Sequence, residues 1–253
     1  MGHLVKRLLI VLILMSTRCP VYSITPSSIA VVVNTNSLLD GKSEAVGKYY
    51  CAVAGIPSSN IIEVWTPESE DITQNQYLAL AAQVRSKLIS QFGVNPSDAA
   101  NDKIQVLLMC YGFPHKIAGD PNGLTGETTS VDSFLATLFS RDPDLGPGII
   151  DGDCNSPNYS PGTKGVPNPY LDRNVDFATF RASTDNHFSY TYGGQSYTGK
   201  LRYLVCRLDA ITEPLVNVPG FGTMPRDVRD MIDQAHSSAG QTGRYVVSHL
   251  VVA

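Results

Sequence analysis

Charged side chains are scarce in this chain. They make up 17% of its 253 residues, against about 25% in an average soluble domain, a thinness that suits an exported protein better than a crowded cytosolic one. No run of Lys or Arg occurs anywhere. Without a basic footprint to displace counterions from phosphates, nucleic acid and anionic membrane surfaces are poor partners. There is no C-x-x-C and no His/Cys pair at zinc spacing, which argues against a structural zinc. G-x-S-x-G, Walker A and H-E-x-x-H are all missing, and the glycines at 119, 123 and 126 lack the G-x-G-x-x-G spacing of a dinucleotide turn. Apolar runs are short. The stretch Leu8–Met15 has eight residues, far below the ~20 of a membrane-spanning helix. An apolar fraction of 43% is nevertheless ample for a core and excludes disordered, collagen-like and coiled-coil chains.

That apolar stretch follows Lys6 and Arg7 and precedes Val21-Tyr22-Ser23. A basic start, an apolar segment of ~7–15 residues and a small residue at its end are the parts of a secretory signal peptide. The expected cleavage is after Ser23. Arg18 directly before Cys19 spoils the small-residue box that lipidation needs. Residues 24–253 then carry 16 basic against 23 acidic side chains, a net charge of −7. The expected product is secreted or periplasmic, with no stable membrane insertion after cleavage. Its four cysteines, Cys51, Cys110, Cys154 and Cys206, allow two disulfides in three pairings.

The remaining chain alternates strand and helix. Ile29–Val33 is wholly apolar and ends at Asn34, the form of a strand buried on both faces. Ser43–Ala54 has helical spacing and Gly55 as its stop; Asn60–Trp65 reads as a second strand. Thr73-Gln74-Asn75-Gln76 is a capping box. It opens a helix whose face is Tyr77, Leu80, Ala81, Val84, Leu88 and Phe92, closed by Gly93. Lys103–Cys110 is a third strand, Val131–Phe139 a helix capped by Ser130 or Thr129, and Leu201–Cys206 a fourth strand. Pro225 begins a helix with Asp227 and Asp230 in its first turn and Val228, Met231, Ile232 and Ala235 as its buried stripe. Arg244–Val252 reads as a fifth strand. Because the chain stops on that apolar segment, a truncated C-terminus is expected.

Such alternation indicates one α/β domain over 24–253, a three-layer sandwich around a mostly parallel, doubly wound sheet, Rossmann-like or caspase-like. Residues 141–200 interrupt the rhythm, holding 6 of the 16 prolines and 8 of the 21 glycines. They form a loop-rich insertion in which Phe188–Tyr192, Gly193-Gly194 and Gln195–Tyr197 read as a hairpin with a tight turn.

In open α/β sheets ligands bind outside the carboxyl ends of the strands. The residues just past each strand are therefore the site candidates: Asn34 and Asn36, then Tyr111–His115 with Gly112 and Pro114, then Arg207 and Asp209, with Asp132 nearby. Asn34, Gly112 and Pro114 are expected to line the ligand. Arg207 would orient an anionic or carbonyl group, Asp132 or Asp209 would supply a carboxylate, and His115 would carry the proton. An Arg-x-Asp at a strand end also serves as a structural ion pair.

Several pieces in order resemble an uncharacterised family of exported bacterial proteins. These are Val-Val-Asn34 with Ser37, Tyr49-Tyr50, Gly55-Ile56-Pro57-Ser58-Ser59-Asn60-Ile61, Tyr111-Gly112-Phe113-Pro114, Ser130-Val131-Asp132-Ser133, Asn168-Pro169-Tyr170 and Tyr203–Asp209. The resemblance covers most of residues 29–247. It departs at Cys206, where Thr is expected, at Ala210, where Gly is, and at Tyr111–Pro114, where the family tends to carry Gly-Ile-Pro. It implies export and the α/β fold, and carries no activity with it.

Three functional readings stand side by side. The first is a hydrolase-like or ligand-binding site at the strand ends, with a caspase-like cysteine peptidase as its sharpest form. There His115 and Cys206 follow successive core strands, and Val205-Cys206-Arg207 faintly resembles the caspase box. The His would have to hold a thiolate ready for acyl transfer, but the 91-residue gap between them is about twice the ~50 of the caspase pattern. The second involves calcium. Asp151-Gly152-Asp153-Cys154-Asn155 opens like a D-x-D-x-N loop, and Asp142 and Asp144 lie close by. However, Ser156 and Gly162 stand where the turn Gly and the bidentate Glu belong. No cofactor is otherwise required. The third is a non-catalytic secreted binding domain. Twelve Tyr and a single Trp would suit contact with a small molecule, glycan or peptide.

Overall fold

The computed structural model describes residues 24–99, 102–118, 128–139, 170, 175–192, 195–209 and 214–237. The expected signal peptide, the calcium-like loop with Asp151, Asp153 and Asn155, Cys154 and the expected fifth strand lie outside these residues.

The fold is mixed α/β, and among the described residues its central sheet has four parallel strands. These are β1 (Ile29–Asn34), β2 (Ile61–Val64), β4 (Val106–Met109) and β9 (Leu204–Arg207), in the order β2-β1-β4-β9. Val31 pairs with Ile61 on one side and Leu108 on the other, and Leu108 pairs in turn with Cys206. Burial on both faces explains the unbroken apolar runs, because every residue of a strand covered above and below must be apolar.

Alternation along the strands divides the core in two. Ala30, Val32, Ile62, Val64, Leu107 and Met109 face α2 (Gln74–Phe92), which contributes Tyr77, Leu80, Val84 and Leu88. They also meet α3 (Val131–Ala136) and α4 (Phe177–Ala182). Val31, Val33, Leu108 and Cys110 face α1 (Lys42–Ala54) and α5 (Arg226–Ser237). Gly47 on α1 lies so close to the sheet that a Cβ there would stand 2.5 Å from Val33 Cγ1, so glycine lets this helix sit down on β1.

Local rules hold at α2. The Thr73 hydroxyl accepts from the Gln76 N–H, the Gln76 side chain accepts from the Thr73 N–H at 2.7 Å, and Gly93 ends the helix at φ 66°. Two glutamines of α2 reach the outer edge of β2. Gln83 bonds both the N–H and the C=O of Trp65, each at 2.9 Å, and Gln91 donates to Ser59 O and Ile61 O.

Smaller sheets surround this frame. β3 (Asp71–Thr73), β5 (Lys116–Ala118) and β6 (Thr128–Ser130) form a three-stranded sheet in the order β3-β5-β6. β10 (Leu215–Val218) and β11 (Gly222–Pro225) form a hairpin beside α1. β7 (Phe188–Tyr192) and β8 (Gln195–Gly199) form the expected hairpin, in which Tyr192 pairs with Gln195. The stripe expected on α5 is narrower than read. Val228 and Ile232 are buried, but Met231 is 39% exposed and Ala235 lies on the surface.

Below the sheet, at the strand amino ends, a buried polar network ties the insertion to the core. Arg202 Nε donates to Asp102 Oδ2 at 3.1 Å, and the Tyr203 hydroxyl donates to the same oxygen at 2.8 Å. Arg181 donates to the carbonyls of Ile104, Arg202 and Asp102. These donors meet backbone carbonyls at the chain's entry into β4 and β9, which is a bracing role.

Candidate functional site at the strand carboxyl ends

Arg207 is the last residue of β9 and Asp132 the second of α3, where the helix dipole favours a carboxylate. They meet in a two-pronged pair, Nε to Oδ2 at 2.7 Å and Nη2 to Oδ1 at 2.6 Å. The fork matches the carboxylate plane and the two side chains are 12% and 7% exposed. Arg207 also donates to Phe113 O at 3.1 Å and Pro114 O at 2.6 Å. The expected role of orienting a ligand therefore gives way to another. The guanidinium binds the turn after β4 to the end of β9 and fixes its shape.

His115 hangs from that turn. Its N–H donates to Glu70 O at 2.9 Å and its carbonyl accepts from Val131 N at 3.0 Å, so its backbone is held on both sides. The ring stands 3.0 Å through Nε2 from Asp209 Oδ2, with side chains 50% and 18% exposed. Arg207 Nη1 lies 3.9 Å from the same Asp209 oxygen. The carboxylate accepts, so Nε2 is the donor in this bond. Asp132, Arg207, Asp209 and His115 thus form one continuous chain of polar contacts, running from the buried helix start to solvent.

Asn34 belongs to the frame and not to the ligand face. It is fully buried. Its N–H donates to Ser43 Oγ at 2.9 Å, its Oδ1 accepts from the N–H groups of Asn36 and Thr66 at 3.1 Å each, and its Nδ2 donates to Gly112 O at 2.7 Å. Asn36 adds bonds from Nδ2 to Thr66 O and from Leu38 N to its Oδ1, both 3.0 Å. The loops after β1, β2 and β4 are laced together through these two amides. Gly112 has φ 84°, and a Cβ on it would stand 2.6 Å from Leu39 Cδ2. The backbone turn and the tight contact each demand glycine. Pro114 is buried beneath Arg207.

Cys206, one position before Arg207 on β9, packs against both halves of the core, and Leu208 lies in the α1-side half. Burial, and after it the nearby Asp132 carboxylate, push the Cys206 thiol up to about 11. Burial likewise raises Cys51 to about 11 and pushes Cys110 well above the ordinary thiol value. Cys51, Cys110 and Cys206 are free thiols and surround the half-buried Tyr50, whose phenol is also raised, by burial first and by these thiols next. Among the described residues no group of three His, Cys, Asp or Glu is placed to hold a metal ion, and no helix is long and apolar enough to cross a membrane.

Sequence reasoning missed Glu70, whose carbonyl receives the N–H groups of both His115 and Lys116, the latter at 3.0 Å. Only the short alternation Asp71-Ile72-Thr73 before the capping box hinted at the small strand that carries this loop. Comparison with protein-family models, with curated proteins and with solved structures finds no match.

Proposed function

We propose that this chain is an exported, hydrolase-like α/β protein that binds its ligand above the carboxyl ends of β4 and β9. The carrying observation is the Asp209–His115 pair, 3.0 Å apart with the imidazole half in solvent, beside the strand ends on which Arg207 is locked. A sheet order in which the chain leaves β1 first for β2 and then for β4 supports a doubly wound, Rossmann-like or caspase-like reading, in which ligands sit outside the carboxyl ends of the strands. Secretion to the periplasm or beyond follows from the basic-apolar start of the sequence.

The chemistry is general-base hydrolysis. Nδ1 of His115 takes a proton from a water molecule as its oxygen attacks the electrophilic centre of the ligand. Asp209 steadies the imidazolium, which then returns the proton to the leaving group. Such a base contributes about 10²–10⁴ in rate. A thiol raised to about 11 weighs against the cysteine-peptidase reading, since a thiolate is the species that attacks. The test is turnover of chromogenic esters, phosphoesters and glycosides by the exported protein. His115→Ala and Asp209→Asn should each lower the rate by about 10²–10⁴ at nearly unchanged melting temperature. Turnover surviving in both variants would refute the assignment.

A further inference from the structure

Two large apolar side chains stand exposed in the segments that leave the carboxyl ends of β1 and β2. Trp65, the single tryptophan of the chain, is 52% exposed and Leu38 is 72% exposed. Exposure alone says little, but the Trp65 backbone is unusually well held. Gln83 closes both its N–H and its C=O at 2.9 Å, and the next residue, Thr66, is 1% exposed and bonded on both sides by Asn34 and Asn36. Asn36 also receives the Leu38 N–H, so one amide ties the backbone of Leu38 to that of Thr66, the residue after Trp65. At its other end the same loop delivers Glu70 O to the N–H of His115 at 2.9 Å. One segment, held at Trp65–Thr66 and at Glu70, therefore carries an exposed indole at one end and the backbone support of His115 at the other.

We infer that Trp65, flanked by Leu38, is the stacking platform of a subsite for a neutral oligosaccharide, which it presents to His115 and Asp209; this rests on the hydrolase-like reading above. The ends of β2 and β4 are two inter-strand steps apart, about 10 Å, a span that suits a short chain of rings better than one small molecule. The segment that follows Trp65 carries the exposed hydrogen-bonding side chains of Glu68 and Ser69, and beyond them Glu70, which pairs with Lys116 at 2.7 Å. A sugar ring offers an apolar face to the indole and hydroxyls to such side chains at once. A peptide side chain would seek a closed apolar pocket, which a rim does not provide. The net charge of −7 for residues 24–253 disfavours acidic glycans. Holding the indole before the ligand arrives removes an ordering cost on binding.

Because the chain has one tryptophan, its emission reports this subsite alone. Chitohexaose and maltohexaose titrated into the full protein should give, for at least one of them, a saturable change in emission. By calorimetry Trp65→Ala should bind that sugar about tenfold more weakly, Trp65→Phe should recover most of the loss, and His115→Ala should bind within about twofold of wild type while losing turnover. Circular dichroism checks that the variants fold, as expected for a surface position. No emission change with either sugar, or wild-type affinity in Trp65→Ala, overturns the inference, as does saturable binding of the peptide Phe-Gly-Phe in place of both sugars. If His115→Ala abolishes ester turnover while neither sugar binds, the hydrolytic site stands and the platform falls. Sugar bound through Trp65 with turnover indifferent to His115 supports the platform and removes the hydrolytic reading.

Discussion

Asp132→Ala removes the carboxylate that faces Arg207 and leaves a guanidinium whose side chain is 12% exposed. Breaking a buried pair from one side costs about 3–5 kcal/mol, because the remaining charge stays out of water without its partner. The carbonyls of Phe113 and Pro114 still accept from Arg207, which places the expectation at the lower end, about 3 kcal/mol. With a urea slope of about 2 kcal/mol per molar, the unfolding midpoint should fall by about 1.5 M at constant slope. Arg207→Met supplies the other side of the cycle, and the double variant should be more stable than the sum of the two losses by at least about 1 kcal/mol. Arg207→Lys keeps the charge but loses the fork and should recover only part of the stability. A loss below about 1 kcal/mol in Asp132→Ala would put the pair in the class of surface ion pairs. Arg207 would then not be the brace that sets His115 against Asp209.

The thiols give an independent test. With Cys206 pushed up from 9.0 to about 11, its thiolate fraction at pH 7 is roughly 100-fold smaller than that of an exposed cysteine. Iodoacetamide labelling followed by intact mass should be slower by at least that factor and rise about tenfold per pH unit; fast labelling below pH 7 would contradict the burial argument. Cys51 and Cys206 both go from 9.0 to about 11 on folding. The unfolded chain therefore loses these protons first, and stability that is complete below about pH 9 should fall as the pH climbs toward 11. Gly112→Ala combines an unfavourable φ with a Cβ 2.6 Å from buried Leu39. It should cost about 2–4 kcal/mol in chemical denaturation, and a change within about 0.5 kcal/mol would show that the turn adapts.

Much of the frame was legible because periodicity and capping are local. β1, α1, β2, α2 and β4 stand within a few residues of where the apolar runs, the capping box and Gly93 put them. The Gly-Gly hairpin was readable for the same reason. The strands β3, β5 and β6 were not, since three residues are too few to show a period and they exist only by pairing across long stretches of chain. The β10–β11 hairpin left a usable signal in Pro219-Gly220, a turn pair between apolar residues. At the site, topology located Arg207, Asp209, His115 and Asp132 together. It could not reveal which of them faces solvent, because that depends on long-range hydrogen bonds. Asn34 illustrates the limit. A polar residue at a strand end reads alike whether it greets a ligand or, as here, satisfies four backbone and side-chain groups of its own protein.

The two glutamines of α2 bear on how this molecule meets other copies of itself. A parallel sheet ends in an edge strand, and β2 is such an edge, an open template for any incoming strand. Gln83 occupies the donor and the acceptor of Trp65, and Gln91 holds the carbonyls of Ser59 and Ile61. A passing chain thus finds four residues of edge with its main-chain groups already engaged at both ends. Among the described residues side-chain amides cover this edge where a strand could pair, and a solution of this protein has in them a guard against sheet-to-sheet aggregation.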